Sequence, residues 1–180
     1  MHTVLILTGS PRTGGNSDFM AQALIRGVEA AGNRAVRYDA ARHRHTPCAA
    51  CDQCFRNGRP CASDGAFCAL APLLESAEAL ALVTPIYWLS FPAGLKMVLD
   101  KLYAFRVGQR SLSGKRSALL ACGEGDRPGL FRPVELIYED MAAYEGWDNQ
   151  GIITVPGMRE KGQIQQTDAL DRAETLGRRL

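Results

Sequence analysis

Four cysteines stand within the fourteen residues CAACDQCFRNGRPC, as Cys48, Cys51, Cys54 and Cys61, spaced C-x2-C-x2-C-x6-C. Thiolates this close in sequence can converge on one tetrahedral metal or on a cubane cluster. Cys68 and Cys122 lie outside the run and read as buried thiols. His43 and His45, just upstream, read as solvated surface residues, and zinc or a redox-active thiol set stays open beside the cluster. A second group of chemically capable residues lies in TGSPRTGGNS, where Ser10, Thr13, Asn16 and Ser17 offer neutral donors and Arg12 a charged one. Backbone N–H groups of a tight loop leading into a helix N-terminus form an anion site, and these side chains would complete it. The bland alternative is a plain strand-to-helix turn with Asn16 or Ser17 as its N-cap. A third group, TPIYWLSFPAG at 84–94, carries Tyr87 and Trp88, which could lie against a flat ring.

These residues need elements to hold them. Uninterrupted apolar runs at 3–8 (TVLILT), 79–84 (ALALVT), 117–122 (SALLAC) and 151–156 (GIITVP) predict strands covered on both faces. AVRYD at 35–39 alternates and predicts an edge strand. Helical spacing recurs over 16–31, in the stripe Leu95–Phe105 opened by Pro92, over 130–144 and over 165–180. Strands alternating with helices imply a doubly wound α/β sheet, and an exposed second strand favours the order 2-1-3-4-5. That order brings the loops after the first and third strands to one crevice. Residues 1–180 read as one domain, with a cysteine-rich loop inserted at about 40–65.

Composition narrows the function classes. Lysine plus arginine number 21 against 19 acids, a net charge of +2, which gives no electrostatic case for nucleic acid. No apolar stretch approaches the roughly 20 residues of a membrane span. MHTVLILTG lacks a basic n-region and a cleavage signature, so a cytoplasmic, reducing setting is expected, where cysteines serve as metal ligands or free thiols. Gly9 and Gly14 have the spacing of a triphosphate loop, but Gly15–Asn16 stand where its lysine pair belongs. The dinucleotide fingerprint G-x-G-x-x-G is absent, although Asp39 ends the second strand where a ribose could be gripped. A single terminal phosphate, as in FMN, suits the loop best.

TGSPRTGGNS together with TPIYWLSFPAGLKMVLDKL resembles the flavodoxin-like family of NADPH-dependent FMN reductases and iron–sulfur flavoproteins, in layout from residue 1 to about 155. The resemblance implies a flavodoxin-like three-layer sandwich. It also implies Ser10, Arg12, Asn16 and Ser17 around the FMN phosphate, Pro85, Ile86, Tyr87 and Trp88 along the isoalloxazine and ribityl chain, and Gly123 near the ring. NAD(P)H would be the co-substrate, and a quinone, flavin, azo or nitro compound the acceptor, by a ping-pong route that needs no catalytic side chain. The resemblance further implies a homodimer or homotetramer. In its iron–sulfur branch, Cys48, Cys51, Cys54 and Cys61 ligate a [4Fe–4S] cluster that exchanges electrons with FMN, and a ferredoxin-type protein is the donor. A non-enzymatic flavin-binding or redox- and metal-sensing module is the remaining alternative.

Overall fold

The computed structural model describes residues 1–180. Five strands, β1 (Thr3–Thr8), β2 (Arg34–Asp39), β3 (Ala79–Pro85), β4 (Arg116–Cys122) and β5 (Asp148–Val155), form one parallel sheet in the order β2-β1-β3-β4-β5. The predicted order holds, and β2 occupies the edge its alternating pattern requires.

Side chains alternate across the sheet and feed two cores. Leu5, Leu7, Leu80, Leu82 and Leu119 face α2 (Gly65–Ser76), α3 (Ala93–Asp100), α4 (Tyr103–Val107) and α5 (Arg132–Glu145). Val4, Ile6, Ala81, Val83 and Leu120 face α1 (Asn16–Ala30) and α6 (Ala169–Gly177). Both faces of β1 and β3 are therefore buried, which is why their sequences are continuously apolar.

α1 and α6 approach closely because glycine meets glycine. A methyl on Gly27 would collide with the Glu174 carbonyl oxygen and lie 3.0 Å from Gly177 Cα, and one on Gly177 would collide with the Leu24 carbonyl oxygen.

Two expected helices are interrupted. The stripe from Leu95 to Phe105 breaks at Lys101–Leu102 into α3 and α4. Lys101 Nζ there reaches Asp64 Oδ2 at 2.8 Å and also donates to the Thr46 carbonyl. The helix expected over 165–180 is a 3-10 turn, Gln163–Gln166, followed by α6, with Thr167 extended between them. No helix is long and apolar enough to cross a membrane.

Candidate functional site

The carboxyl ends of β1, β3, β4 and β5 surround a cleft of about 370 Å³. Its floor is tied by Ile86 N donating to Cys122 O (2.8 Å) and Gly123 N donating to Val155 O (3.1 Å). All nine residues predicted from the sequence line it: Ser10, Arg12, Asn16, Ser17, Pro85, Ile86, Tyr87, Trp88 and Gly123.

At one end lies the start of α1. Its N-cap is Gly15, not Asn16 or Ser17, and no side chain caps it. The backbone N–H groups of Asn16 and Ser17 donate to no protein acceptor, so they and the helix dipole are available to an anion. Ser10 Oγ accepts from Arg12 N (3.1 Å) and shapes the turn. Asp18, which could oppose an anion, is committed elsewhere: it accepts from Gly14 N (2.7 Å) and pairs with Arg37 (2.6 Å). Burial alone would push the Asp18 carboxyl up, but the Gly14 N–H and Arg37 outweigh it and hold the carboxyl below its ordinary range. Asp39 is partly committed too, its Oδ1 accepting from Thr8 Oγ1 (2.5 Å) and Arg37 Nε (2.8 Å) while its Oδ2 lies 3.9 Å from Arg42.

At the other end the chain makes a two-residue turn, with Tyr87 N donating to Ser90 O (2.9 Å) and Ser90 N to Tyr87 O (3.1 Å). Its central residues, Trp88 (φ 45°) and Leu89 (φ 66°), are left-handed, a conformation that bulky side chains adopt at a cost. The turn lifts the Trp88 indole clear of the protein, 98% exposed, at the rim of the cleft. Glu124 lines the cleft as well.

Sequence reasoning missed the wall after β5. Met158, Arg159 and Lys161 line the cleft, carried by a segment with no apolar period. Its position after the carboxyl end of a strand was the one available signal. Arg12, Arg159 and Lys161 form no ion pair with any carboxylate, so the α1 end of the cleft is electropositive. The pattern fits a phosphorylated ring compound: backbone donors and cations at one end, aromatic and apolar groups at the other.

The cysteine loop lies elsewhere, against α3 and α4. Cys48, Cys51, Cys54 and Cys61 all line one small concavity of about 30 Å³, with Lys101, Tyr103 and Ala104. Four non-glycine residues in the loop are left-handed: Ala50, Asp52, Phe55 and Asn57. Phe55 pins the loop, its ring 5.5 Å from that of Phe105, with the Arg110 guanidinium 4.8 Å above it. The Cys54 thiol is pushed up by burial and further by Cys61, Cys48 and Cys51, a sign that the four sulfurs share one neighbourhood. Four soft thiolate ligands suit zinc or an iron–sulfur cluster, yet no three His, Cys, Asp or Glu side chains are grouped tightly enough to hold a single ion. Cys68 donates to Cys61 O (3.1 Å), while Cys122 is buried and its thiol is pushed up to about 12 by burial.

At the neck of the loop the structure corrects one expectation. His45 is not a solvated surface residue; its side chain is fully buried, with Nδ1 3.1 Å from Asp64 Oδ2 and Nε2 3.0 Å from Tyr38 Oη. His43 stacks on Tyr38 with ring centroids 4.2 Å apart. Asp64 collects His45, Lys101, Thr46 N (3.0 Å) and Phe67 N (2.8 Å), the last as the N-cap of α2.

Comparison with known proteins bears on the family and the fold. Residues 2–137 match the family described as NADPH-dependent FMN reductase. An iron–sulfur flavoprotein of Archaeoglobus fulgidus is 28% identical over 110 residues, covering 61% of this chain but only about half (49%) of that protein. One of Methanosarcina thermophila is 24% identical over 135 residues, covering 75% of this chain and 70% of that one. Among solved structures, the NAD(P)H:quinone oxidoreductase from Methanothermobacter marburgensis superposes with a TM-score of 0.77 at 19% identity, over 98% of this chain and 94% of that one, a likeness of fold. A match over three quarters of the chain, on a flavodoxin-like sheet, places this protein in the NADPH-dependent FMN reductase family of flavin-dependent oxidoreductases.

Proposed function

We propose that the chain binds FMN in the β1/β3 cleft and uses NAD(P)H to reduce it, then passes the electrons to a small acceptor such as a quinone, flavin, azo or nitro compound. The observation that carries this reading is the cleft itself, which joins an uncapped helix N-terminus with free cations to an aromatic turn. FMN supplies the hydride and electron chemistry when bound. The protein's part is binding and placement. Ser10, Ser17, the Asn16 and Ser17 N–H groups and Arg12 hold the phosphate, while Pro85, Ile86, Tyr87, Trp88 and Gly123 bound the ring and its side chain. No side chain is needed as general acid or base, and one open face serves both substrates in turn, which makes the route ping-pong.

The reading includes a cytoplasmic homodimer or homotetramer. Tyr87, Trp88 and Leu89, 44%, 98% and 42% exposed at the rim, are what a second subunit would cover.

The test is steady-state oxidation of NADH and NADPH by FMN-loaded protein at several quinone concentrations. Parallel double-reciprocal lines are expected; intersecting lines would rule out the ping-pong route. The double variant Arg12→Ala, Ser17→Ala should weaken FMN binding by about 100-fold, from loss of one charge-assisted and one neutral hydrogen bond, with an unchanged circular dichroism spectrum. Unchanged flavin affinity would remove the phosphate assignment.

A second reading is favoured by the four cysteines on one concavity and by the names of the curated relatives: an iron–sulfur flavoprotein in which Cys48, Cys51, Cys54 and Cys61 hold a [4Fe–4S] cluster, served by a ferredoxin-type donor. Protein purified without oxygen should then carry about four iron and four sulfide per chain, lost in Cys51→Ala while the flavin bands persist. Flavin without iron would leave the loop structural.

A further inference from the structure

The segment after β5 runs back over the start of α1, and two side chains fix its course. Asn16 Nδ2 donates to Glu160 O at 2.9 Å, and Asn16 Oδ1 accepts from Ile164 N at 3.1 Å. Gln163 braces the segment from within, its Oε1 accepting from both Arg159 N and Glu160 N at 3.0 Å. The outcome is the placement of Lys161. A methyl on Gly14, itself left-handed at φ +65°, would lie 3.3 Å from Lys161 Cε and 3.6 Å from Nζ. The ammonium thus hangs over the loop that precedes α1, lines the same cleft as Asn16 and Ser17, and pairs with no carboxylate. The whole segment lies beyond the residues that match the family.

We propose that residues 157–166 form a strap that reads the terminal phosphate of the flavin, with Lys161 as the reading charge and Gln163 as the residue that holds the strap in place. The proposal rests on the FMN reading of the cleft and deepens it, because it makes the site selective for phosphorylated over unphosphorylated flavin. Lysine suits the role: it is a mobile point charge on a long stem, able to follow a phosphate that the helix terminus and Arg12 position. Gln163 does not line the cleft, so any effect of its loss passes through the strap. Asn16 serves as the outer latch, which spends its carboxamide oxygen and one amide hydrogen on the strap.

The experiment titrates the full chain, freed of flavin, with FMN and with riboflavin, following flavin fluorescence. Lys161→Gln should raise the Kd for FMN by about tenfold or more, the scale of one charge-assisted hydrogen bond, and leave riboflavin within twofold. Gln163→Ala should raise the FMN value by a smaller factor, again sparing riboflavin, and should add less than twofold once Lys161 is already glutamine. Unchanged FMN affinity in Lys161→Gln overturns the proposal. So does an equal loss for both flavins, which would mark the strap as a structural wall. An additive effect of Gln163→Ala on Lys161→Gln overturns the holding role. A parent protein that binds neither flavin would instead sink the FMN reading itself.

Discussion

Asp64→Ala should lower unfolding stability by about 3–5 kcal/mol, the usual cost of stripping one partner from a buried ion pair. Asp64 is 1% exposed and serves four donors at once: Lys101 Nζ, His45, and the backbone N–H groups of Thr46 and Phe67. Its removal strands the Lys101 ammonium, 3% exposed, and uncaps α2. A guanidinium titration at pH 7 measures the loss. Asp64→Ala combined with Lys101→Met should recover much of it, because the stranded charge is gone; simple addition of two losses would show that the pair is not coupled.

The same carboxylate sets an acid limit. Burial would raise the Asp64 pKa, but Lys101 and the N–H groups of Phe67 and Thr46 outweigh it, and the carboxyl sits at about 2 against an ordinary 3.8. A depressed folded value means the unfolded chain takes up the proton first as pH falls. The contribution, about 2 kcal/mol, is present above pH 4 and drains away between pH 4 and 2. His45 works in the same sense at higher pH. Burial lowers its folded value below 6.5 despite Asp64, so stability begins to decline as pH drops through 6.5. In Asp64→Ala the acid limb below pH 4 should flatten.

Gly27→Ala carries the second large effect, about 3 kcal/mol of destabilisation from overpacking. The sign makes it diagnostic. At an exposed helix position the same change stabilises by about 1 kcal/mol through propensity. Here the added methyl meets the Glu174 backbone, with its carbonyl carbon at 2.9 Å, and backbone cannot swing aside as a side chain can. α1 and α6 must separate, and Leu24, Val28, Ala173 and Leu176 lose contact. Gly177→Ala forces the same separation, so the double variant should fall short of the sum. A thermal melt that rises in Gly27→Ala would show that the helices are not in close contact.

Much of this was legible in the sequence, for identifiable reasons. β1 and β3 announce themselves because burial on both faces leaves no room for polar residues between Val4 and Leu7 or Ala79 and Val83. β2 betrays its edge position through Arg34, Arg37 and Asp39. The cleft could be assembled because the strand order alone brings the β1 and β3 loops together.

What stayed hidden depends on contacts between distant residues. α2 has Pro72 inside it and apolar residues on most sides, so it shows little periodicity. His45 looks like a surface histidine until Asp64 and Tyr38, at 19 and 7 residues' remove, close around it. Lys161 belongs to a polar stretch without motif or period. Its placement is fixed by Asn16, 144 and 148 residues from the two backbone groups it holds.

The cysteine loop is fastened at its neck by Asp64 and at its middle by Phe55, and between these fastenings little holds it. No hydrogen bond joins the backbone of residues 47–52 to any other part of the chain. The work of opening that stretch is therefore nearly independent of the work of unfolding the sheet. Cys48 and Cys51 sit in the loose span, whereas Cys54 and Cys61 lie beside the fastenings. The two pairs meet the surroundings on different clocks: the first is exposed in the folded protein as it stands, and the second, partly covered beside the fastenings, is reached more slowly.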